Sequence, residues 1–299
     1  MRAVWSFWSK PYFAGYSRWY TDWHHWLGWG LSLYTVSRFY PDTCLVTDDA
    51  GARILIDSLQ LPFDHVSTDL NRLRNEDGDW WSLGKIEAYR LQEEPFVHVD
   101  ADVFLWKPLA AELEEADVFA QNPEPIVPGA TLYTPEQVEN VIGSGWLPAE
   151  WLWYRRVAKS ESQCCGVLGG NRVDFINHYA NTALRIIRDP QNLAAMKRLT
   201  EKSRHMLLIE QYMLSACVEY HRVQKRSPFG GIEMRHVFAT LDEALSPHAP
   251  VKAGFTHLAA GAKRNRRVSR DLEKRVQKEI PGFFERCTAL LFSAHLRTA

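Results

Sequence analysis

The 299-residue sequence lacks several features, and each absence removes a class of protein. No apolar stretch approaches the ~20 residues a membrane-spanning helix needs. The opening segment MRAVWSFWSKPYF has no apolar run of the length a secretory signal uses. The five cysteines (Cys44, Cys164, Cys165, Cys217 and Cys287) are odd in number, irregular in spacing and form no Cys-x-x-Cys, which fits reduced thiols better than a disulfide framework or a thiolate zinc site. A soluble, cytoplasmic protein is therefore expected. Neither sign of charge is in excess, with 35 Lys and Arg against 36 Asp and Glu, so a strongly basic nucleic-acid-binding domain is excluded. There is no Gly-x-x-x-x-Gly-Lys-Ser/Thr loop for a P-loop kinase and no Gly-x-Ser-x-Gly elbow for a hydrolase. His24-His25 and Cys164-Cys165 lack zinc-site spacing. Internal repeats, low-complexity tracts and linkers are also missing, so residues 1–299 read as one domain, with a helical extension from about 268.

What the chain has in quantity is aromatic residues: 12 Trp, 11 Tyr and 14 Phe. Most serve a core, because rings bury large areas, and the same flat faces suit the C–H face of a sugar. Short apolar runs alternate with helical periodicity, which predicts an α/β fold with a mixed, mainly parallel sheet flanked by helices. Strands are expected at Ala3–Trp8, Thr43–Thr47, Asp64–Val66, Phe96–Val99, Asp117–Gln121, Gln163–Leu168 and Val251–Leu258. Helices are expected at Trp81–Leu91, Val173–Ile187, Met206–Tyr220 and from Ser269 onward. The segment from Asn122 to Gly129, with three prolines and a glycine, reads as a loop, and Gly169-Gly170-Asn171 as a tight turn.

Asp100-Ala101-Asp102 follows the strand Phe96–Val99, and in open α/β sheets ligands bind beyond the carboxyl ends of strands. Two hard oxygen ligands at such a junction suit Mg²⁺ or Mn²⁺ and leave positions for substrate phosphates. An Asp-x-Asp occurs by chance in many solvated turns. The four-residue strand leading in and the apolar run ending in Lys107-Pro108 single this one out.

The string from Phe96 to Leu109, FVHVDADVFLWKPL, resembles the metal-binding segment of GT-A glycosyltransferases, nearest to the glycogenin-like and lipopolysaccharide galactosyltransferase group. Three further segments match in order. Cys165-Gly166-Val167-Leu168-Gly169-Gly170-Asn171 is similar to the strand and turn beneath the sugar, Glu210-Gln211 to an acidic-Gln pair near the donor sugar, and His257-x-x-x-Gly261-x-Lys263 to a late His, Gly, Lys element. The resemblance implies a GT-A fold, a divalent metal held by Asp100, Asp102 and His257, and a nucleotide-diphosphate sugar, most simply a UDP-sugar. It further implies transfer with retention to a carbohydrate or other hydroxyl acceptor. Gly261 and Lys263 would bind the diphosphate, with Lys85 and Arg90 on the preceding helix as further basic candidates. Gly169 and Gly170 would admit the donor, Glu210 and Gln211 would act on the sugar, and Trp5, Ser6 and Phe7 would flank the nucleobase. The sequence departs from the family in three places. His257 and Gly261 are separated by three residues rather than two, Arg264-Asn265 stands for the usual Pro-Trp, and Glu-Gln stands for Asp-Gln.

The cluster Lys263-Arg264-Asn265-Arg266-Arg267, continuing to Lys278, is interleaved with acids as in a solvated helix, and it is also the one candidate for peripheral contact with anionic lipid. Two other functions fit parts of the pattern. A metal-dependent nucleotidyltransferase would share the carboxylates, and a non-catalytic carbohydrate-binding protein would share the aromatics.

Overall fold

The computed structural model describes residues 1–292 other than 17, 128, 130, 132, 158 and 159. Its centre is a seven-stranded sheet. The strands are β1 (Arg2–Phe7), β2 (Thr43–Thr47), β3 (His65–Ser67), β4 (Phe96–Val99), β6 (Val118–Pro125), β7 (Glu161–Gly170) and β8 (Met234–His236), in spatial order β3-β2-β1-β4-β7-β6-β8. A separate two-stranded ladder joins β5 (Val103–Leu105) to β9 (Phe255–His257). In the large sheet β7 runs against all the others. The expected mixed, mainly parallel sheet flanked by helices is therefore present.

Both faces of the sheet are covered, which is why its strands are apolar almost throughout rather than alternating. Successive side chains of β1 go to opposite sides: Val4 joins one buried cluster, and Ala3, Trp5 and Phe7 join the other. The Val4 side is packed by α2 (Leu83–Arg90), α4 (Val173–Arg188) and α5 (Met213–Val223), through residues such as Ile86, Phe175, Tyr179 and Cys217. Helix α3 (Ala149–Val157) joins this side through Trp151 and Tyr154. The Trp5 side is packed by α1 (Asp22–Ser37), α6 (Arg266–Glu279) and α7 (Pro281–Phe292), through Leu27, Leu31, Leu272, Val276 and Phe283.

Several expected boundaries shift for physical reasons. Gly169 and Gly170 are not a turn but the last residues of β7, paired with Val97 and Phe96. The segment Asn122–Pro125 is strand, not loop. Beyond Ala120, β8 no longer pairs with β6, so Pro123 and Pro125 sit where that side of the strand has no strand partner among the described residues. Residues Ala249–Ala253 are helical, with Pro250 in the first turn and Gly254 at φ +64° closing the helix; only Phe255–His257 remain strand. The run Met206–Tyr220 is interrupted by a π-helical turn, Leu208–Tyr212, before α5. The last helix ends its described portion at residue 292, and the residues beyond lie outside the description. All five cysteines are buried free thiols. Among the described residues no helix is long and apolar enough to cross a membrane.

Candidate functional site

Beyond the carboxyl ends of β1 and β4 lies a cleft of about 470 Å³. Asp100 is held there by strand register: β4 ends at Val99 opposite Val167, and the next amide, of Asp100, donates to Gly166 O at 2.9 Å. The chain then turns, with Val103 N donating to Asp100 O at 3.0 Å, and enters β5. Pairing of Val103 with His257 in the β5–β9 ladder brings His257 beside Asp102, with Nε2 3.5 Å from Asp102 Oδ1. The oxygens and nitrogen that Asp100, Asp102 and His257 offer all lie within 4.8 Å of one another.

Two lysines complete the group. Lys85, on α2, reaches both Asp100 oxygens at 2.8 Å and Glu210 Oε1 at 3.0 Å, and it donates to Cys165 O at 2.6 Å. Gly84 lets the helix sit this close, since a Cβ there would lie 2.6 Å from Trp8 Cβ. Lys263 is bonded to Asp102 Oδ2. The electrostatics divide accordingly. Burial pushes Asp100 up; Lys85 pulls it back, Asp102 and Glu210 add to the rise, and it stands at about 6. Burial acts the same way on Asp102, but Lys263 and His257 outweigh it and hold that carboxyl well below the usual range. Burial lowers His257, yet Asp102 overrides it and raises the imidazole to about 10. Lys85 is likewise raised by Asp100 and Glu210 in spite of its burial.

Second contacts orient these groups. His257 Nδ1 is 2.7 Å from Gln121 Oε1, which directs Nε2 at Asp102. Gly166 makes room for that pair: a Cβ there would lie 2.4 Å from Gln121 Oε1 and 2.7 Å from the imidazole. Trp5 Nε1 donates to Ser32 Oγ at 3.0 Å, and Ser32 donates on to Asp100 O at 3.2 Å, so a buried relay braces the turn from below.

The walls are aromatic. Tyr12, Tyr16, Trp19, Trp29, Trp81 and Tyr133 line the cleft. Trp19 lies across Gly28 of α1, where a Cβ would meet its ring at 2.5 Å, and Lys263 Nζ sits 5.8 Å from the Trp19 ring centre. Tyr20 N donates to Lys263 O at 2.8 Å, which ties this aromatic loop to the lysine segment. Gln211 faces the cleft with Oε1 buried and without a partner among the described residues.

Of the residues expected from sequence, Ser6, Lys85, Asp100, Asp102, Gln211, His257 and Lys263 come together in this cleft. Phe7 also lines it. Trp5 does not; it is fully buried beneath the turn it supports. Glu210 lies behind Lys85, fully buried, with Oε1 also accepting from Tyr89 Oη at 3.3 Å. Gly169 and Gly170 pack against Phe96 O and Asp117 O at the opposite end of β7, and Gly261 is exposed with open space around it. Arg90 turns away to Glu87 at 2.7 Å. The sequence reading passed over Trp8, Tyr12, Tyr16, Trp19, His25, Trp81, Glu124 and Tyr133. Half of these lie in the aromatic stretch directly after β1, and the rule that ligands sit beyond strand carboxyl ends points there as it does to Asp100.

A search of curated proteins finds no match. Similar solved structures include the galactosyltransferase LgtC in complex with donor and acceptor sugar analogs, at 12% identity and TM-score 0.38, covering 94% of this chain and 100% of that one. An active-site mutant of LgtC gives 12% identity and TM-score 0.38, with 92% and 96% covered. The bifunctional glycosyltransferase WbbM gives 12% and 0.33, with 69% of this chain and 37% of that one covered. The model of a family of unknown function, DUF6734, matches residues 1–290, and the chain belongs to that family.

Proposed function

We propose that this protein is a GT-A-type glycosyltransferase that takes a nucleotide-diphosphate sugar as donor and a divalent metal as cofactor. The observation that carries the reading is the convergence of Asp100, Asp102, His257, Lys85 and Lys263, from four separate chain segments, at the floor of an aromatic-walled cleft. Two carboxylates and one imidazole suit Mn²⁺ or Mg²⁺ in ligand type, and the cluster fits one ion in size. When bound, such an ion neutralises charge on a leaving diphosphate.

The chain's own groups supply the rest. Lys263, bonded to Asp102 Oδ2 at the cleft, is a point charge suited to a phosphate oxygen. Lys85, fixed by Asp100, Glu210 and the Cys165 carbonyl, supplies positive charge at a set place, and Glu210 acts as its positioning residue. The unpartnered Gln211 Oε1 is an acceptor for a sugar hydroxyl, and a buried acceptor with no donor is costly unless a ligand meets it. The surrounding rings offer faces for a nucleobase and for sugar C–H groups.

Calorimetric titration of UDP, GDP and CDP, each with and without Mn²⁺, against the wild type and Asp102→Asn tests this reading. Metal-dependent binding of one nucleoside diphosphate, lost in the variant, is the expected result. A folded protein that binds none of them under any condition would sink the transferase.

A further inference from the structure

On the side of the sheet away from α1, three residues spread widely through the sequence meet outside the cleft: Glu150 on α3, His178 on α4 and His221 on α5. His178 Nε2 lies 2.9 Å from Glu150 Oε1, His221 Nε2 lies 3.3 Å from the same oxygen, and the two Nε2 atoms are 3.1 Å apart. We propose that this triangle is a Zn²⁺ site that ties α3, α4 and α5 together.

The geometry argues for it. Ligands about 2.0–2.1 Å from a tetrahedral zinc stand roughly 3.3 Å from one another, close to the edges seen here. Two imidazole nitrogens with one carboxylate are a zinc donor set, and the fourth position is left to water. Both imidazoles converge on a single carboxylate oxygen, and a cation placed among them engages that oxygen and both Nε2 lone pairs at once. The orienting shell is also present. His221 Nδ1 is bonded to Ser227 Oγ at 2.5 Å, and Ser227 Oγ is fixed in turn by the Phe229 amide at 3.0 Å. In the tautomer that donates from Nδ1 to Ser227 Oγ, the Nε2 lone pair of His221 is directed between Glu150 and His178. Phe229 packs against both imidazoles, with ring centres at 5.0 and 5.3 Å, and restricts their rotation. Glu150 and His221 are buried, while the His178 side chain is about one-third exposed, so an ion has a way in.

The test uses the full chain after chelation, with Zn²⁺ or Co²⁺ added back, in four forms: wild type, Asp102→Asn, and His178→Ala and His178→Gln each built on Asp102→Asn so that the cleft ligands are already broken. The glutamine retains a hydrogen bond to Glu150 but offers no imidazole, so a purely structural role survives in it and metal binding does not. Zn²⁺ is expected to raise the melting temperature of the wild type and of Asp102→Asn, and Co²⁺ to give both the visible absorption of a tetrahedral site. In both His178 variants, folded by circular dichroism, the affinity should fall by more than about tenfold, the least that loss of even an outer partner costs. A full Zn²⁺ response in His178→Gln, or none in the wild type, overturns the proposal. A response present in the wild type and lost in Asp102→Asn would assign the metal to the cleft alone and overturn the proposal.

Discussion

Asp100 and Asp102 are two residues apart and have opposite electrostatic surroundings. Asp102 is enclosed by Lys263 and His257 and stays ionised; Asp100 shares Lys85 with Glu210 and is pushed up to about 6. His257, raised to about 10 by Asp102, holds a proton at neutral pH that it must release before Nε2 can serve as a ligand. Binding of Mn²⁺ at pH 7 is therefore expected to release about one proton, and affinity to rise about tenfold per pH unit near neutrality. Titration in buffers of different ionisation enthalpy measures this directly, and a heat that does not depend on the buffer removes His257 from the ligand set. Gly166 gives a second prediction at this scale. Gly166→Ala places a methyl against Gln121 and His257, so it should weaken metal binding several-fold with every ligand unchanged. Equal Mn²⁺ affinity in the variant and the wild type contradicts that account.

Helix α1 lies between the cleft and the C-terminal helices, and two of its glycines test the two faces separately. In an unencumbered helix, Gly→Ala stabilises by about 1 kcal/mol. At Gly30 the new Cβ would stand 2.0 Å from the Phe283 ring of α7, so Gly30→Ala should instead destabilise by about 1–3 kcal/mol through overpacking. At Gly28 the Cβ would meet Trp19 at 2.5 Å and Ala101 O at 3.1 Å. Gly28→Ala should therefore expel Trp19 from its seat and weaken nucleotide or sugar binding, in contrast to Gly30→Ala, whose effect is on stability. Urea melts paired with ligand titrations separate the two; parallel losses in both properties for both variants refute the division.

The helices from Arg266 onward share one buried cluster with the sheet. Leu272, Val276, Phe283 and Cys287 pack with Ala3, Trp5, Leu31 and Val97. Glu273 reaches back to His24 Nε2 at 2.8 Å. A chain ending before Arg266 should thus lose its cooperative unfolding transition rather than leave a stable core behind, because the part of this cluster that α6 and α7 cover, on α1 and the sheet, would be bared to water. A sharp transition in the truncated chain, near the wild-type midpoint, shows that these helices are a separable addition.

Local patterns carried much of this protein in the sequence itself. Thr43–Thr47 and Phe96–Val99 were legible to the residue because they are short, apolar and bounded by punctuation, and Asp100-Ala101-Asp102 was legible because a buried strand delivers it. Pairing across the chain was not legible. Gly169-Gly170 reads as a turn until the register opposite Phe96 and Val97 makes it strand, and the glycine that serves the cleft is then Gly166. Glu210 and Trp5 carry the chemistry expected of contact residues, yet packing puts them one layer behind, bracing Lys85 and the Asp100 turn. Glu150, His178 and His221 show no metal-ligand spacing, since the helices that unite them meet only when their apolar faces close on the sheet. Sequence periodicity sets which residues must be buried and where strands end. Which distant side chains then share a few ångströms is decided by strand register and helix packing, which are properties of the whole chain.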